Sequence, residues 1–512
     1  MQKTKLAAAI DIGSNRIRMV IAQIDSEGRI SILEELRQST NIGKDTFTYG
    51  KISPQVIHET CDILKKFVMK MQEYRVENVR AVATSGIREA ENKSFVLEQI
   101  RMKTGFEVEV INNAEERFLT AKAIKYYMPE SHQDARKKVL LVNIGSGGLE
   151  VSSFVDKKLK GTYYLKLGSL RLKEILSDIE NITLHFPSIM EEFIEAKMLP
   201  VKNHIESLDI DGFIALGSGV NTILGLSDTK KVGERNEIIQ KSEIDRIYGE
   251  IFSKTAIQIS KKHDIVHSEA QVLLPSVMIF KKLLDMTSAK FMYAPWVSLR
   301  HGILVDTMDK SYKYGINKSL DEDIISSTRY IGEKYNYEKV HSEYVERLAL
   351  SIFDQTKKLH KLKKNHRKYL QVASILHDVG KIMSYENHNM NSYNIIKAQN
   401  IIGFSNREVE IIANIARYHG EEEPKPYHDT FERLGFADQI VVAKLSAILK
   451  LADALDKSHA QKVEELKISG RDEELVFKIK SKKDTFLEKW TFIQKTRLFE
   501  EVMGTRIIIK AK

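Results

Sequence analysis

Apolar and polar positions alternate through residues 6–35, and this period of two predicts three short strands with a Gly-Ser turn between the first two. Residues 54–75 instead carry apolar side chains at helical spacing, behind a proline suited to a first helical turn. The segments VRAVATS and FEVEVIN predict two further strands, and we expect a helix to begin near Ala114. Strands and helices in this alternation indicate an α/β domain.

The same pattern then begins again. KVLLVNIGSGGLEVSSFVDKKL predicts a strand, a glycine turn and a second strand, GTYYLKLG a third, and DGFIALGSGVNTI a later strand and turn. The two glycine turns start at Asp11 and Asn143, a spacing of domain size rather than that of a short structural repeat. We therefore predict two similar α/β lobes that face each other.

The character of the chain changes at about residue 308, where helical patterns begin to dominate, and it changes again in the last fifty residues, which alternate like a small sheet. No low-complexity linker separates these parts. The pattern predicts four regions: lobe I (1–130), lobe II (131–307), an all-α domain (308–460) and a small C-terminal α+β region (461–512).

The net charge of the chain indicates which kind of partner it favours. The chain of 512 residues has 79 Lys and Arg against 70 Asp and Glu, a net charge of +9, which favours polyanionic partners without choosing among them. No recognised nucleic-acid module and no apolar stretch of membrane-spanning length occur, so neither partner is expected. A single cysteine, Cys61, excludes an internal disulfide and predicts a reducing compartment, the cytoplasm.

The two glycine turns suggest phosphate binding. Backbone N–H groups in such turns can approach an anion closely, because glycine has no Cβ in the way. Two matched turns on facing lobes could hold successive phosphates. A structural hairpin is the alternative for either turn alone.

Six segments in order carry a family resemblance: AAAIDIGSNRIRMVIA, AVATSGIREAEN, INNAEERFL, LLVNIGSGGLEVSSF, YYLKLGSLRLKE and FIALGSGVNTI. Together they resemble the exopolyphosphatase and guanosine pentaphosphate phosphohydrolase (Ppx/GppA) family, which has two actin-like (ribonuclease H-like) lobes. The resemblance implies a homodimeric exopolyphosphatase that removes terminal phosphate from inorganic polyphosphate with Mg²⁺. Guanosine pentaphosphate or tetraphosphate is the alternative substrate, and a weakly active polyphosphate or alarmone sensor is the alternative function.

The resemblance also assigns roles to residues. It implies that Glu116 is the catalytic base, with Glu115 beside it, and that Asp11 and Glu150 are acids near metal and water. Asp11, Asn143 and Glu150 are the implied metal ligands. The implied phosphate-binding residues are Gly13, Ser14, Asn15, Arg88, Gly145, Ser146, Gly147, Gly217, Ser218 and Gly219. The alternative for the two glutamates is that they only favour the first turn of a helix, whose dipole stabilises acids.

Some positions depart from the family pattern. Asn143 stands where the family has an aspartate, Gly148 and Leu149 replace two hydroxyl residues, and Arg16 stands where serine is common. Asn112-Asn113 replaces Ser-Gly before the glutamate pair. Because a hard cation prefers anionic oxygen, metal affinity should fall. Three interpretations compete: hydrolysis with Asn143 as a neutral ligand, positive charge supplied by Arg16, or a pocket that only binds. We favour retained hydrolysis, since both matched glutamates are present.

The helical domain has its own candidate site. His341, the pair His377-Asp378, and Asp453 occur in an order that resembles the HD phosphohydrolase superfamily. This resemblance implies a site for Mg²⁺, Mn²⁺ or another divalent metal, because imidazole and carboxylate together suit such ions. His388 and His419 could add ligands or contact substrate, and Lys381 could contact phosphate. Nucleotide hydrolysis in this HD-type domain is therefore a further alternative function.

Overall fold

The computed structural model divides into two compact units, Met1–Asp323 and Ile324–Lys512. It describes residues 4–105, 107–127, 138–156, 158–180, 182–183, 185–228, 230–231, 236–312, 316–399, 401–471 and 473–511. The division falls within the helix Ile316–Lys334.

A five-stranded sheet forms the first half of the first unit. Its strands are β1 (Lys5–Ile12), β2 (Arg16–Ile24), β3 (Ile30–Ser39), β4 (Asn78–Ala83) and β5 (Val108–Val110), in the order β3-β2-β1-β4-β5. β1, β2 and β3 pair antiparallel, whereas β4 and β5 continue the sheet in parallel with β1. The apolar β1 is central and buried. β3 forms one edge of the sheet, and most of its residues alternate between partly buried and exposed positions.

A seven-stranded sheet forms the second half. Its strands are β6 (Lys138–Ile144), β7 (Leu149–Val155), β8 (Lys158–Leu165), β9 (Gly212–Gly217), β10 (Lys230–Lys231), β11 (Asn236–Gln240) and β12 (Phe291–Pro295), in the order β10-β11-β12-β9-β6-β7-β8. The order β8-β7-β6-β9-β12 repeats the order of the first sheet. The predicted repetition of an α/β organisation is therefore confirmed.

Helices cover these sheets. Those of the first half, which with β1–β5 we call the first lobe, are Ile42–Tyr49, Pro54–Glu73, Ser85–Arg88, Lys93–Thr104 and Asn113–Tyr127. Those of the second half, which with β6–β12 we call the second lobe, are Ser169–Ile175, Ser177–Glu180, Phe186–Leu208, Val220–Leu226, Lys241–Ile251, Ala256–His263 and His267–Asp285.

The helix Leu299–Tyr312 returns to the first sheet. Its residues Ile303, Leu304 and Met308 are fully buried in one core cluster with Ala7 and Ala9 of β1. The boundary predicted between residues 307 and 308 thus falls inside a helix, and the first compact unit extends to Asp323. The helical spacing of apolar residues after position 308 does not indicate that this helix begins at Leu299 or which core it packs into.

The second unit is mainly helical, as the periodicity predicts. Its helices after the division are Lys339–Gln355, Lys357–His360, Lys364–Leu376, His388–Ala398, Asn406–Arg417, Asp429–Glu432, Phe436–Ala454, Phe486–Gln494 and Thr496–Met503, with a 3-10 turn at Val379–Ile382. A small sheet, β13 (Glu465–Arg471), β14 (Glu474–Lys480) and β15 (Arg506–Ala511), completes it in that order. None of the helices in the described parts of the chain combines the length and the apolar character that a bilayer crossing requires.

The contact between two helices of the first unit makes one glycine testable. A Cβ added to Gly302 would lie 2.0 Å from the carbonyl oxygen of Leu119, in the helix Asn113–Tyr127. Because backbone cannot give way as a side chain can, we expect Gly302→Ala to lower the free energy of unfolding by roughly 1–3 kcal/mol, measured by denaturant unfolding.

Gly249→Ala is the matched control. Gly249 is exposed in the helix Lys241–Ile251, and an added Cβ there meets no atom within 4 Å. Alanine should stabilise this helix by up to about 1 kcal/mol. Equal effects of the two substitutions would contradict the proposed backbone contact.

Candidate active site

A pocket opens between the two lobes of the first unit. Both lobes contribute to its wall, which consists of Ser85, Arg88, Asn113, Glu116, Asn143, Gly145, Gly148, Glu150 and Tyr164. The structure thus brings five of the predicted site residues together: Arg88, Glu116, Asn143, Gly145 and Glu150. Of the two glycine turns that repeat in the sequence, only the second contributes residues to this wall, namely Gly145 and Gly148.

The start of the helix Asn113–Tyr127 separates the roles of the two adjacent glutamates. The side-chain oxygen of Asn112 accepts a hydrogen bond from the Glu115 N–H (2.8 Å), and the Glu115 carboxylate accepts one from the Asn112 N–H (3.3 Å). This reciprocal arrangement is a capping box. Glu115 therefore stabilises the helix start, whereas Glu116 lines the pocket.

Arg88 is held beside Glu116 by the first lobe. Its guanidinium donates to the carbonyl oxygen of Ile111 (2.8 Å) and to the side-chain oxygen of Asn113 (2.5 Å). One of its nitrogens lies 3.7 Å from Glu116 Oε2. Asn113, one of the departures from the family pattern, therefore helps to position the pocket arginine.

The surroundings of Glu116 favour its protonated form. Removal from water, together with the charges of Glu150 and Asp11, raises the pKa of Glu116 to about 7, although Arg88 opposes the shift. About a quarter of the side chain (26%) stays accessible. A carboxylate with a pKa near neutrality and access to water can accept a proton from that water.

Glu150 is bound by an arginine that the sequence analysis missed. Glu150 lies in β7, directly opposite Asn143 in β6. The Nε of Arg117 donates to its Oε1, and another nitrogen of the same guanidinium donates to Thr162 Oγ1 at 2.5 Å. Arg117 is only 3% exposed. A buried positive charge therefore stands beside an acid that was predicted to bind metal.

Asp11 lies outside the wall of the pocket but acts on it electrostatically. Its Oδ2 is 3.9 Å from a guanidinium nitrogen of Arg18 and 3.8 Å from one of Arg300. Burial raises the pKa of Asp11 despite these arginines. Its charge in turn contributes to the raised pKa of Glu116. Each of the three predicted acids thus has an arginine neighbour.

The glycine turns bring the lobes into close approach. A Cβ added to Gly147 would lie 2.5 Å from Ser85 Oγ, and Ser85 Oγ lies 3.1 Å from Ser14 Oγ. The N–H of Gly145 is used within its own turn, where it donates to the Gly148 carbonyl oxygen (2.8 Å). The other predicted phosphate-binding residues are not part of the wall, and their contact with phosphate stays a prediction: Gly13, Ser14, Asn15, Ser146, Gly147, Gly217, Ser218 and Gly219.

Tyr164 lines the pocket, and the sequence analysis missed it. Its buried hydroxyl has no hydrogen-bond partner within the described ranges of the chain. A Cβ added to Gly148 would lie 2.3 Å from this oxygen, so the glycine in place of a hydroxyl residue makes room for the ring. Burial raises the pKa of Tyr164 to about 12, which keeps the phenol protonated and able to donate to an anion.

Arg16 does not supply positive charge to the pocket. Its guanidinium pairs with Glu269 in the helix His267–Asp285 at 2.5 Å, which joins the two lobes. Arg16 is also not among the wall residues. The arginine that approaches a pocket acid of the second lobe is Arg117 instead.

In the second unit, the four predicted ligands converge. His341 Nε2 lies 3.4 Å from Asp453 Oδ1 and 3.7 Å from Asp378 Oδ2, and His377 Nε2 lies 3.5 Å from the same Asp378 oxygen. His341, His377 and Asp378 are buried. Burial lowers the pKa of His377 to about 3, so its imidazole is neutral.

Comparison with known proteins agrees with this organisation. The family model described as the Ppx/GppA phosphatase family matches residues 20–311, and that described as Ppx/GppA phosphatase, domain III, matches residues 325–501. The guanosine-5′-triphosphate,3′-diphosphate pyrophosphatase of Vibrio vulnificus (strain YJ016) is 21% identical over 421 residues, 81% of each chain.

Two solved structures are similar to the chain. An exopolyphosphatase from Cytophaga hutchinsonii ATCC 33406 is 19% identical with a TM-score of 0.53, and the match covers 60% of this chain and 98% of that one. The Aquifex aeolicus Ppx/GppA family member is 25% identical with a TM-score of 0.48, over 60% and 99%. The Cytophaga likeness confirms the predicted two-lobed, actin-like fold class. Because the first family model covers more than half of the sequence, the chain belongs to the Ppx/GppA phosphatase family, whose members hydrolyse phosphoanhydride bonds.

Proposed function

We propose that the pocket between the lobes hydrolyses the terminal phosphoanhydride of inorganic polyphosphate. The observation that carries this proposal is the position of Glu116, a carboxylate with a pKa of about 7 beside Arg88, in a wall that both lobes form. The net charge of +9 suits a long polyanion.

In the proposed reaction Glu116 accepts a proton from water, and the water oxygen attacks the terminal phosphorus. The bond from phosphorus to the bridging oxygen breaks, which releases phosphate and a chain one unit shorter. Arg88 can donate two parallel hydrogen bonds to phosphate oxygens. Tyr164, whose hydroxyl has no partner within the described ranges, can donate a third. Such positioning and neutralisation of charge is what phosphoryl transfer mainly needs.

A divalent cation fits the oxygen donors of this pocket. The wall offers carboxylate and amide oxygens from Glu116, Glu150 and Asn143, the donor type that Mg²⁺ prefers. Glu150 and Asn143 would hold the ion, with Asp11 as a more distant negative charge. When bound, Mg²⁺ would neutralise charge on the phosphate oxygens. Because Arg117 lies next to Glu150 and Asn143 is neutral, the wall has less negative charge with which to bind the ion.

The same proposal includes a homodimer in the cytoplasm. The homodimer rests on the family resemblance, and the location rests on the single cysteine.

Guanosine pentaphosphate is the second candidate substrate. The Vibrio vulnificus relative that matches 81% of this chain is named a guanosine-5′-triphosphate,3′-diphosphate pyrophosphatase. The same pocket and the same base would serve both substrates, because each presents a terminal phosphoanhydride. A weakly active sensor is the third candidate, which the neutral Asn143 and the buried Arg117 favour.

Glu116→Gln tests the proposed base directly. Removal of the acid should lower kcat by roughly 100- to 10,000-fold, measured as phosphate release from long polyphosphate and, separately, from guanosine pentaphosphate. Glu115→Gln is the control, because glutamine also completes a capping box and should leave kcat nearly unchanged. Loss of activity in both variants would refute the assignment. A wild-type protein that binds either compound without releasing phosphate would be a sensor.

The raised pKa of Glu116 predicts a pH dependence. Because the base must be ionised to accept a proton, kcat/KM should rise with pH through about 7 and then level off. Arg88 lowers this pKa, so Arg88→Gln should move the rising limb to higher pH as well as reduce the rate. Initial rates of phosphate release over a pH series measure both effects. A limb that stays at the same pH in Arg88→Gln would exclude Glu116 as its origin.

Asn143→Asp tests whether the missing charge limits metal binding. The added acid should lower the Mg²⁺ concentration that gives the half-maximal rate, because hard cations bind anionic oxygen more tightly. Asn112→Asp is the matched control, since aspartate caps a helix as well as asparagine and adds the same charge outside the wall. If both variants shift the Mg²⁺ dependence equally, or neither does, Asn143 is not a ligand.

A further inference from the structure

Of the three predicted acids of the first unit, Glu150 has the closest arginine. Arg117 Nε donates a hydrogen bond directly to Glu150 Oε1, whereas the arginines beside Glu116 and Asp11 keep their nearest nitrogens 3.7–3.9 Å from a carboxylate oxygen. Within the described ranges of the chain, neither Arg117 nor Glu150 has a second ion-pair partner. Both residues are buried. The guanidinium and this carboxylate are therefore each other's counter-ion.

The guanidinium of Arg117 is also anchored at a second point. Another of its nitrogens donates to Thr162 Oγ1 at 2.5 Å, and this hydroxyl lies 3.2 Å from Ser152 Oγ. Ser152 and Thr162 stand opposite each other in β7 and β8. A side chain of the first lobe is thus held at two points of the second lobe's sheet. Its displacement would break both hydrogen bonds and separate a buried ion pair.

Glu150 stands in the middle of a row of side chains on this sheet. Asn143 in β6 lies directly opposite Glu150 in β7, and Glu150 lies directly opposite Tyr164 in β8. Side chains in such cross-strand pairs have their Cβ atoms about 4.5–5.5 Å apart. All three residues line the pocket. The row offers one amide, one carboxylate and one phenol, so Arg117 already matches its single negative charge.

A divalent cation at this row would compete with Arg117. Glu150 is the charged member of the row, and its Oε1 already accepts the guanidinium hydrogen bond. An ion on the same carboxylate would stand close to the guanidinium, and like charges about 4 Å apart repel strongly inside a protein. Because Mg²⁺ prefers anionic oxygen, the row should bind the free ion weakly.

The phosphate groups of a substrate change this balance. They bring negative charge and anionic oxygens, and proteins usually bind Mg²⁺ through one or two carboxylates together with substrate phosphates. Phosphate oxygens also accept paired hydrogen bonds from a guanidinium. A phosphate in the pocket can thus supply ligands to the ion and a second acceptor to Arg117.

We propose that Arg117 is a positioning residue that occupies Glu150 until an anionic substrate arrives, so that the divalent cation enters the pocket together with the substrate's phosphates. The substrate class in this inference rests on the proposed phosphoanhydride hydrolysis. The neutral Asn143 contributes to the same order of binding, because an aspartate there would give the row a second negative charge with which to hold an ion in the absence of substrate.

Equilibrium dialysis against Mn²⁺ tests the competition without any reaction. Mn²⁺ replaces Mg²⁺ because both ions take octahedral oxygen ligands. Every protein carries Asp378→Asn, which weakens the predicted ligand set of the second unit. Without phosphate, Arg117→Gln should bind an additional ion, about ten times more tightly than the pocket with Arg117. Arg117→Lys keeps the charge and should bind Mn²⁺ as weakly as the pocket with Arg117.

Arg16→Gln is the matched control. It breaks a different arginine–glutamate pair between the lobes, that of Arg16 with Glu269, away from the pocket wall. Mn²⁺ binding should therefore stay unchanged. Equal Mn²⁺ binding with Arg117 and with Arg117→Gln would overturn the inference.

Thermal unfolding distinguishes competition from a purely structural role of Arg117. If Arg117→Gln only damaged the fold, its Tm would fall by the same amount with and without Mn²⁺. If an ion replaces the guanidinium, Mn²⁺ should raise the Tm of Arg117→Gln by more than that of the protein with Arg117, because a ligand of the folded state stabilises it.

A last measurement leaves Arg117 in place. In the Glu116→Gln background, which suppresses turnover, the protein should retain Mn²⁺ and tripolyphosphate in equal amounts, and Glu150→Gln should remove the ion. Tripolyphosphate retained without the ion would contradict the inference. An ion that the pocket holds without phosphate, and loses in Glu150→Gln, would contradict it as well. Absence of phosphate release by the wild type would refute the proposed function and leave these binding results unaffected.

Discussion

The buried ion pair between Arg117 and Glu150 is the interaction on which the pocket of the first unit depends. Arg117 belongs to the helix that presents Glu116, and Glu150 belongs to β7 of the second lobe, so the pair joins the lobes at the pocket wall. Loss of one partner would leave the other buried and uncompensated, which typically costs roughly 3–5 kcal/mol. The second arginine contact, to Thr162, fixes the guanidinium further. The pairs Arg16–Glu269 and Arg171–Glu89 also join the lobes, but the Arg117–Glu150 pair is the one that includes an acid of the pocket wall.

The two similar turns place different side chains beside arginines. In the first turn Asp11 faces Arg18 and Arg300. In the second turn Asn143 replaces the acid, directly opposite a glutamate that already has Arg117 as its counter-ion. The pocket wall then contains two carboxylates, Glu116 and Glu150, with an arginine beside each. The formal charges balance without a metal ion, so the demand for a cation is smaller than in a wall with a further acid.

The sequence predicts the parts of this arrangement that depend on local pattern. Periodicity predicts the repeated α/β pattern but not the strand order within each sheet, and the ordered motifs lead to Glu116, Asn143 and Gly145. Arg117 and Tyr164 were missed because their roles arise only from tertiary packing. An arginine after two glutamates on a helix looks like a solvated residue, and a tyrosine in an alternating strand looks like core. The predicted boundary between residues 307 and 308 falls inside the helix Leu299–Tyr312, because helical periodicity does not show which core a helix joins. His388 and His419 were named only as additional candidates, because spacing along the chain does not show that both lie beside Asp378 Oδ1, at 3.6 and 3.4 Å.

The pocket of the first unit and the cluster of histidines and aspartates in the second unit differ in the atoms that they offer to a cation. The pocket of the first unit offers carboxylate and amide oxygens with arginines nearby, a set that suits a hard, weakly held cation such as Mg²⁺. The cluster of the second unit offers four imidazole nitrogens and two carboxylates, a set that suits transition metals much better. In the second set, the Nδ1 atoms of His377, His388 and His419 are hydrogen-bonded to backbone carbonyl oxygens, which orients the rings. In the first set, guanidinium groups moderate the charge. The resemblances that predict these two ligand sets therefore predict cations of different classes for them.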